Sequence, residues 1–430
     1  MWFLFLFFYN VVCVPLMYVV FVVGAFFNNK IKQGLTARIY YFKKVKTIVS
    51  NIPANSKVIL FHSSSVGEWE QAVPIINELK SRDSSIYVVV TFFSPSGFNI
   101  VKNPIIDAKL YMPFDSWLGT RRFFALIKPK IWIICKYDVW PNMLASAKHF
   151  NVPVILTSAE LAEDSTRYTF PMKYVNRVFY KKIDRILTIS QDTRDRFLNI
   201  FPYDDRLTVS GDSRYDQIYQ KAQKILEDVP LEIFKSSSKF KFIVGSSWPA
   251  DEKHILPALI RLCEKYPHIQ ILVVPHEINE KHIQDIELDF YSKYIKTERD
   301  TDFLAQGGTD CRVAIINTIG LLAKLYRTTQ LAYVGGAFST GVHNVLEPAV
   351  FGQPVIFGPR YKNSYEACKL VDNLAAHSIH NENEFEVIVD YLIQKETLRI
   401  DKGNDAKRFL VDNLGGTKKT IKEIEALGII

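Results

Sequence analysis

Along most of this chain, short runs of apolar residues end in glycine, serine, proline or histidine and are followed by longer amphipathic stretches. Residues 58–61, 86–91, 108–111, 131–135, 154–157 and 186–189 read as buried strands, and 69–80, 118–127, 143–149, 171–182 and 191–199 carry helical spacing between them. The alternation resumes with strands at 240–244, 271–274, 312–316, 331–334 and 354–357 and helices at 250–265, 384–394 and 418–427. Strands that are apolar throughout and alternate with helices predict parallel sheets with right-handed crossovers. The expected fold class is α/β, in two Rossmann-like domains. A charged helix at 217–227, Pro230 and the serine run 236–238 mark the junction, giving domains of 28–212 and 213–430.

Residues 1–27 break this pattern, because no charged side chain occurs among them. A bilayer core takes about 20 apolar residues as helix. Asn10 and Pro15 interrupt the run without forbidding a span. No basic residue precedes it and Phe26-Phe27 makes a poor cleavage site, so an anchor is favoured over a secretory signal. Lys30, Lys32, Arg38, Lys43, Lys44 and Lys46 follow at once. The positive-inside rule then puts the globular part in the cytoplasm, behind a single-pass anchor.

Composition adds little to the fold but narrows the function. The 430 residues carry a formal charge of +8, which beside a membrane suits anionic lipids or phosphorylated substrates. No nucleic-acid-binding motif accompanies the charge. The five cysteines are scattered and form no C-x-x-C, as expected in a reducing compartment. Neither a Walker A loop nor a G-x-G-x-x-G fingerprint occurs, which argues against ATP hydrolysis and NAD chemistry. His276-Glu277 with His282 is not H-E-x-x-H, and no D-x-D pair sits at a strand end, so neither a metal nor another cofactor is expected.

Candidate chemistry gathers at strand ends. After the strand at 331–334 come Gly335-Gly336, a polar loop, His343-Asn344 and a short helical run with Glu347; after 354–357 come Gly358-Pro359 and Asn363, expected to open a helix. Such loops form the ligand crevice of an α/β sheet at its carboxyl edge. Gly245-Ser246-Ser247-Trp248-Pro249 opens another helix, whose N–H groups and dipole suit a phosphate. After the first strand, Ser65-Val66-Gly67-Glu68 fits a capping box, and spacing alone favours a cap over catalysis.

The order G-G-x-x-x-x-G-x-H-N-x-L-E-P-A-x-x-G-x-P-V-x-x-G-P over 335–359 resembles the donor-binding signature of bacterial transferases of 3-deoxy-D-manno-octulosonic acid (Kdo), which begin the lipopolysaccharide inner core. S-V-G-E at 65–68, the 91–97 loop, Y-M-P-F-D at 111–115 and W-P-N at 140–142 resemble further motifs of that family in the same order. The resemblance, from about residue 35 to 425, implies a GT-B glycosyltransferase whose two domains face a cleft. It implies inverting transfer of Kdo from CMP-Kdo to a lipid A precursor (lipid IVA) at the inner membrane, without metal. It gives Glu68 the role of general base, reversing the preference for a cap. Ser246, Ser247, Gly336, His343, Asn344, Glu347 and Asn363 would surround the donor, and Arg214, Asp138 and His276 are cleft candidates. The chain departs from the family at Lys136-Tyr137-Asp138, where E-T-E is frequent, at Glu160, where Arg is frequent, and at His276, also in place of Arg. A sugar-nucleotide epimerase of the same architecture and an inactive, membrane-tethered binding module are the alternatives.

Overall fold

The computed structural model describes residues 1–235 and 240–429; the serine run 236–238 lies outside them. The chain forms two compact units, 1–217 with 413–430, and 218–412, so the division falls inside the helix Ser213–Glu227.

The first unit is built on a seven-stranded, wholly parallel sheet. In chain order its strands are β1 (Lys57–His62), β2 (Ile86–Phe92), β3 (Ala108–Tyr111), β4 (Ile131–Cys135), β5 (Val154–Ala159), β6 (Arg185–Thr188) and β7 (Leu207–Val209). They lie in the order β3-β2-β1-β4-β5-β6-β7. Alternate residues feed two cores. Leu60, Val89, Trp132 and Leu156 point to one face; Ile59, Phe61, Val90, Ile133 and Ile155 point to the other. Both faces are covered, which is why these strands read as unbroken apolar runs. The C-terminal helix Gly416–Glu425 packs beside the helix Val66–Arg82 and inserts Ile421 and Ile424 into the second of these cores. Asp216 fixes its start, accepting from the Gly415 and Thr417 N–H groups at 2.7 Å.

The second unit repeats the plan. Its strands are β8 (Phe240–Ser247), β9 (Ile269–Pro275), β10 (Thr297–Arg299), β11 (Val313–Ile315), β12 (Leu331–Val334), β13 (Val355–Phe357) and β14 (Ala376–Ser378), in the order β10-β11-β9-β8-β12-β13-β14. All described pairings in both sheets are parallel.

Each order reverses once: between β1 and β4 in the first unit, and between β8 and β12 in the second. Crossovers leave such a point in opposite directions, so the loops beyond the strand ends part and open a crevice. The segments that follow β1, β4 and β12 carry Glu68, Asp138 and His343, and β8 ends in Ser247.

The N-terminal helix Trp2–Phe27 is long and apolar enough to cross a membrane. It belongs to the first unit.

Candidate active site

In the first unit Ser65 caps the helix Val66–Arg82 and Glu68 is its third residue; the capping box is complete. Glu68 is 4% exposed. Its Oε2 accepts from the Ser64 N–H, from Ser64 Oγ at 2.7 Å and from the Ser65 N–H at 3.3 Å. These bonds all end on Oε2, which leaves Oε1 to take a proton. Burial raises the Glu68 pKa above its ordinary value, the Ser64 bonds oppose the rise, and the negative charge of Asp138 adds to it. A carboxyl group tuned upward is better matched to proton abstraction near neutral pH.

Asp138 follows β4 across the reversal point. Its Oδ2 lies 2.9 Å from His62 Nε2, and its Oδ1 accepts from Trp140 Nε1 at 2.9 Å. His62, fully buried at the end of β1, places Nδ1 3.0 Å from Thr91 Oγ1. A proton on Nε2 therefore faces Asp138. His62 was not legible as a site residue, because a histidine ending an apolar run has no sequence partner; its partner lies 76 positions away.

Lys136 and Glu160, two of the departures from the family pattern, meet in an ion pair at 3.0 Å. Arg214 packs on Asp212: its N–H donates to Oδ1 at 2.8 Å and its guanidinium lies 4.0 Å from Oδ2, which also accepts from Gln71. Asp115 and Asn142, from the Y-M-P-F-D and W-P-N motifs, bond to each other. The Asn142 and Met143 N–H groups donate to the Asp115 carboxylate at 3.0 and 2.9 Å, so Asp115 caps the helix Pro141–His149.

In the second unit the loops after β8, β9 and β12 converge. The His276 ring stacks on both Trp248 (4.7 Å) and His343 (4.4 Å), and Trp248 Nε1 donates to His343 Nε2 at 2.9 Å. An indole N–H only donates, so His343 Nε2 is unprotonated and the ring is neutral with its proton on Nδ1. Burial and neighbouring His276 lower its pKa in the same sense.

Asp251, third residue of the helix Pro249–Lys265, ties the loops together. It accepts from the N–H groups of Trp248 (3.0 Å), Gly336 (2.8 Å) and Phe338 (3.3 Å) and from the Tyr333 hydroxyl (2.9 Å). A carboxylate of the protein already takes the Trp248 N–H at this helix start, and the Gly336 N–H is likewise committed. The glycine pair answers a packing demand: a Cβ at Gly335 would lie 2.2 Å from the Ser246 carbonyl oxygen, and Gly336 has φ +95°.

Ser246 also adopts positive φ, +53°, at the bulge where β8 ends. Ser247 Oγ donates to Glu252 Oε1 at 2.7 Å, and Glu252 Oε2 lies 2.6 Å from His282 Nε2. Glu252 and His282 line a cleft of about 1020 Å³ between the helices Pro249–Lys265 and Glu280–Tyr291, which also takes in Trp248. Asn344 Oδ1 accepts from the Leu346 N–H at 3.1 Å and starts the short helix Leu346–Ala349. There Glu347 faces Lys221 at 3.7 Å, and burial raises its pKa against that cation. Asn363 is exposed, its amide against Gly341; contrary to expectation Ser364, not Asn363, caps the helix Tyr365–Asp372. The structure thus gathers Ser246, Ser247, His276, Gly336 and His343 around Trp248, and sets Glu347 against Lys221 and Asn363 against Gly341. Among the described residues no three His, Cys, Asp or Glu side chains form a metal-binding group.

Residues 33–217 match the model of the 3-deoxy-D-manno-octulosonic-acid transferase (Kdo transferase) family. The 3-deoxy-D-manno-octulosonic acid transferase of Aquifex aeolicus is 28% identical over 79% of this chain and 88% of its own length. A glycosyltransferase structure from Rickettsia africae aligns over 86% of this chain and 97% of its own, with 13% identity and a TM-score of 0.53. A UDP-GlcNAc 2-epimerase from Neisseria meningitidis aligns over 83% and 98%, with 15% identity and a TM-score of 0.54. The structural likenesses establish the GT-B fold and do not choose between transferase and epimerase. The sequence likeness favours the transferase: residues 33–217 match the Kdo transferase family model, and the Aquifex aeolicus relative, aligned over 79% of this chain, is a Kdo transferase.

Proposed function

We propose that this protein transfers Kdo with inversion from CMP-Kdo to a lipid A precursor, at the inner face of the bacterial cytoplasmic membrane. The first unit takes the acceptor and the second the donor. One observation carries the mechanism: Glu68 stands buried at the sheet's reversal point with one oxygen held by Ser64 and Ser65 and the other without a hydrogen bond among the described residues. Glu68 Oε1 removes the proton from the acceptor hydroxyl as its oxygen attacks the anomeric carbon of Kdo, and the CMP phosphate leaves with the bonding electrons. Asp138, held by His62 and Trp140, keeps a second negative charge nearby that favours the proton's transfer to Glu68. Around the donor, the Trp248–His276–His343 stack offers an aromatic surface, and Glu347 accepts from ribose hydroxyls. Lysine and arginine side chains offset the charge on the departing CMP.

The test is incubation of purified full-length protein with CMP-Kdo and a bisphosphorylated lipid A precursor, read by mass spectrometry. A mass gain of one or more Kdo residues is the expected result. Turnover of a UDP-sugar without any lipid acceptor would point to the epimerase reading, and CMP binding without transfer to an inactive module.

A further inference from the structure

The N-terminal helix is apolar on every side by sequence, yet one side of it is covered by the protein and the others are exposed. Trp2, Phe5, Leu6, Tyr9, Asn10, Cys13, Val14, Met17, Phe21, Gly24 and Ala25 are wholly or partly covered, a stripe at helical spacing. Phe3, Phe7, Val12, Val20, Val23 and Phe27, on other sides, are exposed. The covered stripe lies on the first unit along most of its length. Lys182 sits over the Trp2 ring at 5.3 Å, Phe5 stacks on Phe179 at 6.3 Å, and Phe21 meets Phe93 and Phe114 at 5.9 Å.

Midway, the polar side chain of Asn10 makes three of its four hydrogen bonds to that surface. Asn10 and Asn142 exchange amide hydrogen bonds, both at 2.9 Å; Asn10 Nδ2 also donates to the Leu6 carbonyl at 2.8 Å, and its Oδ1 accepts from the Trp117 N–H at 3.2 Å. Next to it the Tyr9 hydroxyl donates to Asp115 Oδ2 at 2.9 Å. A π-turn over Tyr9–Cys13, just before Pro15, lies at this contact. Tyr9 and Asn10 thus bond to two residues that already brace each other and the helix Pro141–His149.

Contacts from Trp2 to Phe21 cover about 28 Å of helix, nearly the thickness of a bilayer's hydrocarbon core. A helix crossing the membrane with these contacts intact would drag Lys182, Arg38 and Asp115 into hydrocarbon. We infer that the helix works as an in-plane element: latched to the first unit through Tyr9–Asp115 and Asn10–Asn142, it lies along one leaflet and presents its outer face to acyl chains. The partner is an anionic lipid leaflet, because the exposed Lys30, Lys32, Lys43, Lys44 and Lys46 follow the helix directly. Such a mount fixes the height and tilt of the unit that carries Glu68. This goes beyond the transfer reaction and does not depend on it.

Two measurements on full-length protein in anionic vesicles test it without an activity readout. Environment-sensitive labels placed singly at Phe3, Val12, Val20 and Phe27 are ranged against lipid quenchers of graded depth. An in-plane helix places all four at similar shallow depth; a passage through the bilayer centre between positions 3 and 27 overturns the proposal. Second, Phe5→Cys with Phe179→Cys is treated in the membrane with a flexible bismaleimide that tolerates a wider spacing than a disulfide, and the linked peptides are identified by mass spectrometry. The link forms in the docked state, and its yield falls at least several-fold when Tyr9→Phe and Asn10→Leu are added, although that change leaves the helix more apolar and membrane-bound. Absence of the link in the parent pair refutes docking, and an unchanged yield in the quadruple variant refutes the latch.

Discussion

At the scale of single residues, Glu68 resolves an apparent choice between structure and chemistry by using different atoms. Its Oε2 completes the capping box while Oε1 stays available. Glu68→Gln preserves the cap, since glutamine also serves at that position. Melting temperature and CMP affinity are expected to stay near wild type, with Kdo transfer reduced by ~10²–10⁴. Burial raises the Glu68 pKa, so in the wild-type enzyme the acidic limb of kcat/KM should lie above the ordinary glutamate value of 4.5. Transfer by the glutamine variant near the wild-type rate would make Glu68 a cap alone. His343 titrates in the opposite sense. Its folded-state pKa is depressed below 6.5, so the folded protein binds fewer protons than the unfolded chain in the window between the two values. Stability from this residue is complete above 6.5 and is lost as pH falls through that window. Protonation at Nε2 also breaks the bond from Trp248. Thermal scans from pH 7.5 downward should show a steeper loss of Tm for wild type than for His343→Gln, and a parallel pair of curves would exclude the assignment.

At the scale of elements, the strands were legible and the small edge pieces were not. Central strands of a doubly covered parallel sheet are apolar on both faces, and β1, β2, β4 and β8 announce themselves for that reason. β7, β10 and β14 have three residues each, and β10 is Thr-Glu-Arg, with no buried residue to leave a pattern. The helix Glu280–Tyr291 had a readable signal in the Asn279 cap and in Ile283, Ile286 and Phe290. Loops were legible as glycine clusters, but their purpose was not. Gly335-Gly336 reads as a ligand approach; in the structure Gly335 also lies against the Ser246–Ser247 backbone, and Gly336, at positive φ, against Gly341 and His343. Asp251, the hub of that packing, reads in sequence only as a first-turn helix acid. Gly336→Ala is therefore a structural lesion: an added Cβ meets the Gly341 carbonyl oxygen at 2.4 Å, at φ +95°. Backbone strain of this kind costs about 1–3 kcal/mol. A denaturant midpoint unchanged from wild type would show that the loop relaxes freely and that the glycine is there for the ligand.

At the scale of the whole molecule, the basic segment after the N-terminal helix is smaller than its sequence suggests. Arg38 turns inward: its guanidinium donates to the carbonyls of Gly34 (2.7 Å), Met112 (2.9 Å) and Phe93 (3.3 Å) and packs over Phe93, Tyr111 and Phe114. Lys30, Lys32, Lys43, Lys44 and Lys46 remain exposed to meet anionic headgroups. Near such a surface each is worth about 1 kcal/mol at moderate salt, and the attraction is screened as the Debye length shrinks to about 3 Å at 1 M. The apolar helix is not screened. Deleting residues 1–27 should therefore convert salt-resistant membrane association into weak binding that is lost on raising ionic strength. It should also expose Asp115 and Asn142, whose outer contacts are Tyr9 and Asn10, and make the helix start at Pro141 depend on the Asp115 carboxylate alone. Flotation with anionic vesicles at low and high salt, run on full-length and truncated protein together, separates the two contributions. Truncated protein that floats undiminished at 1 M salt would mean that another apolar surface of the first unit, such as exposed Phe170 and Tyr174, holds the membrane.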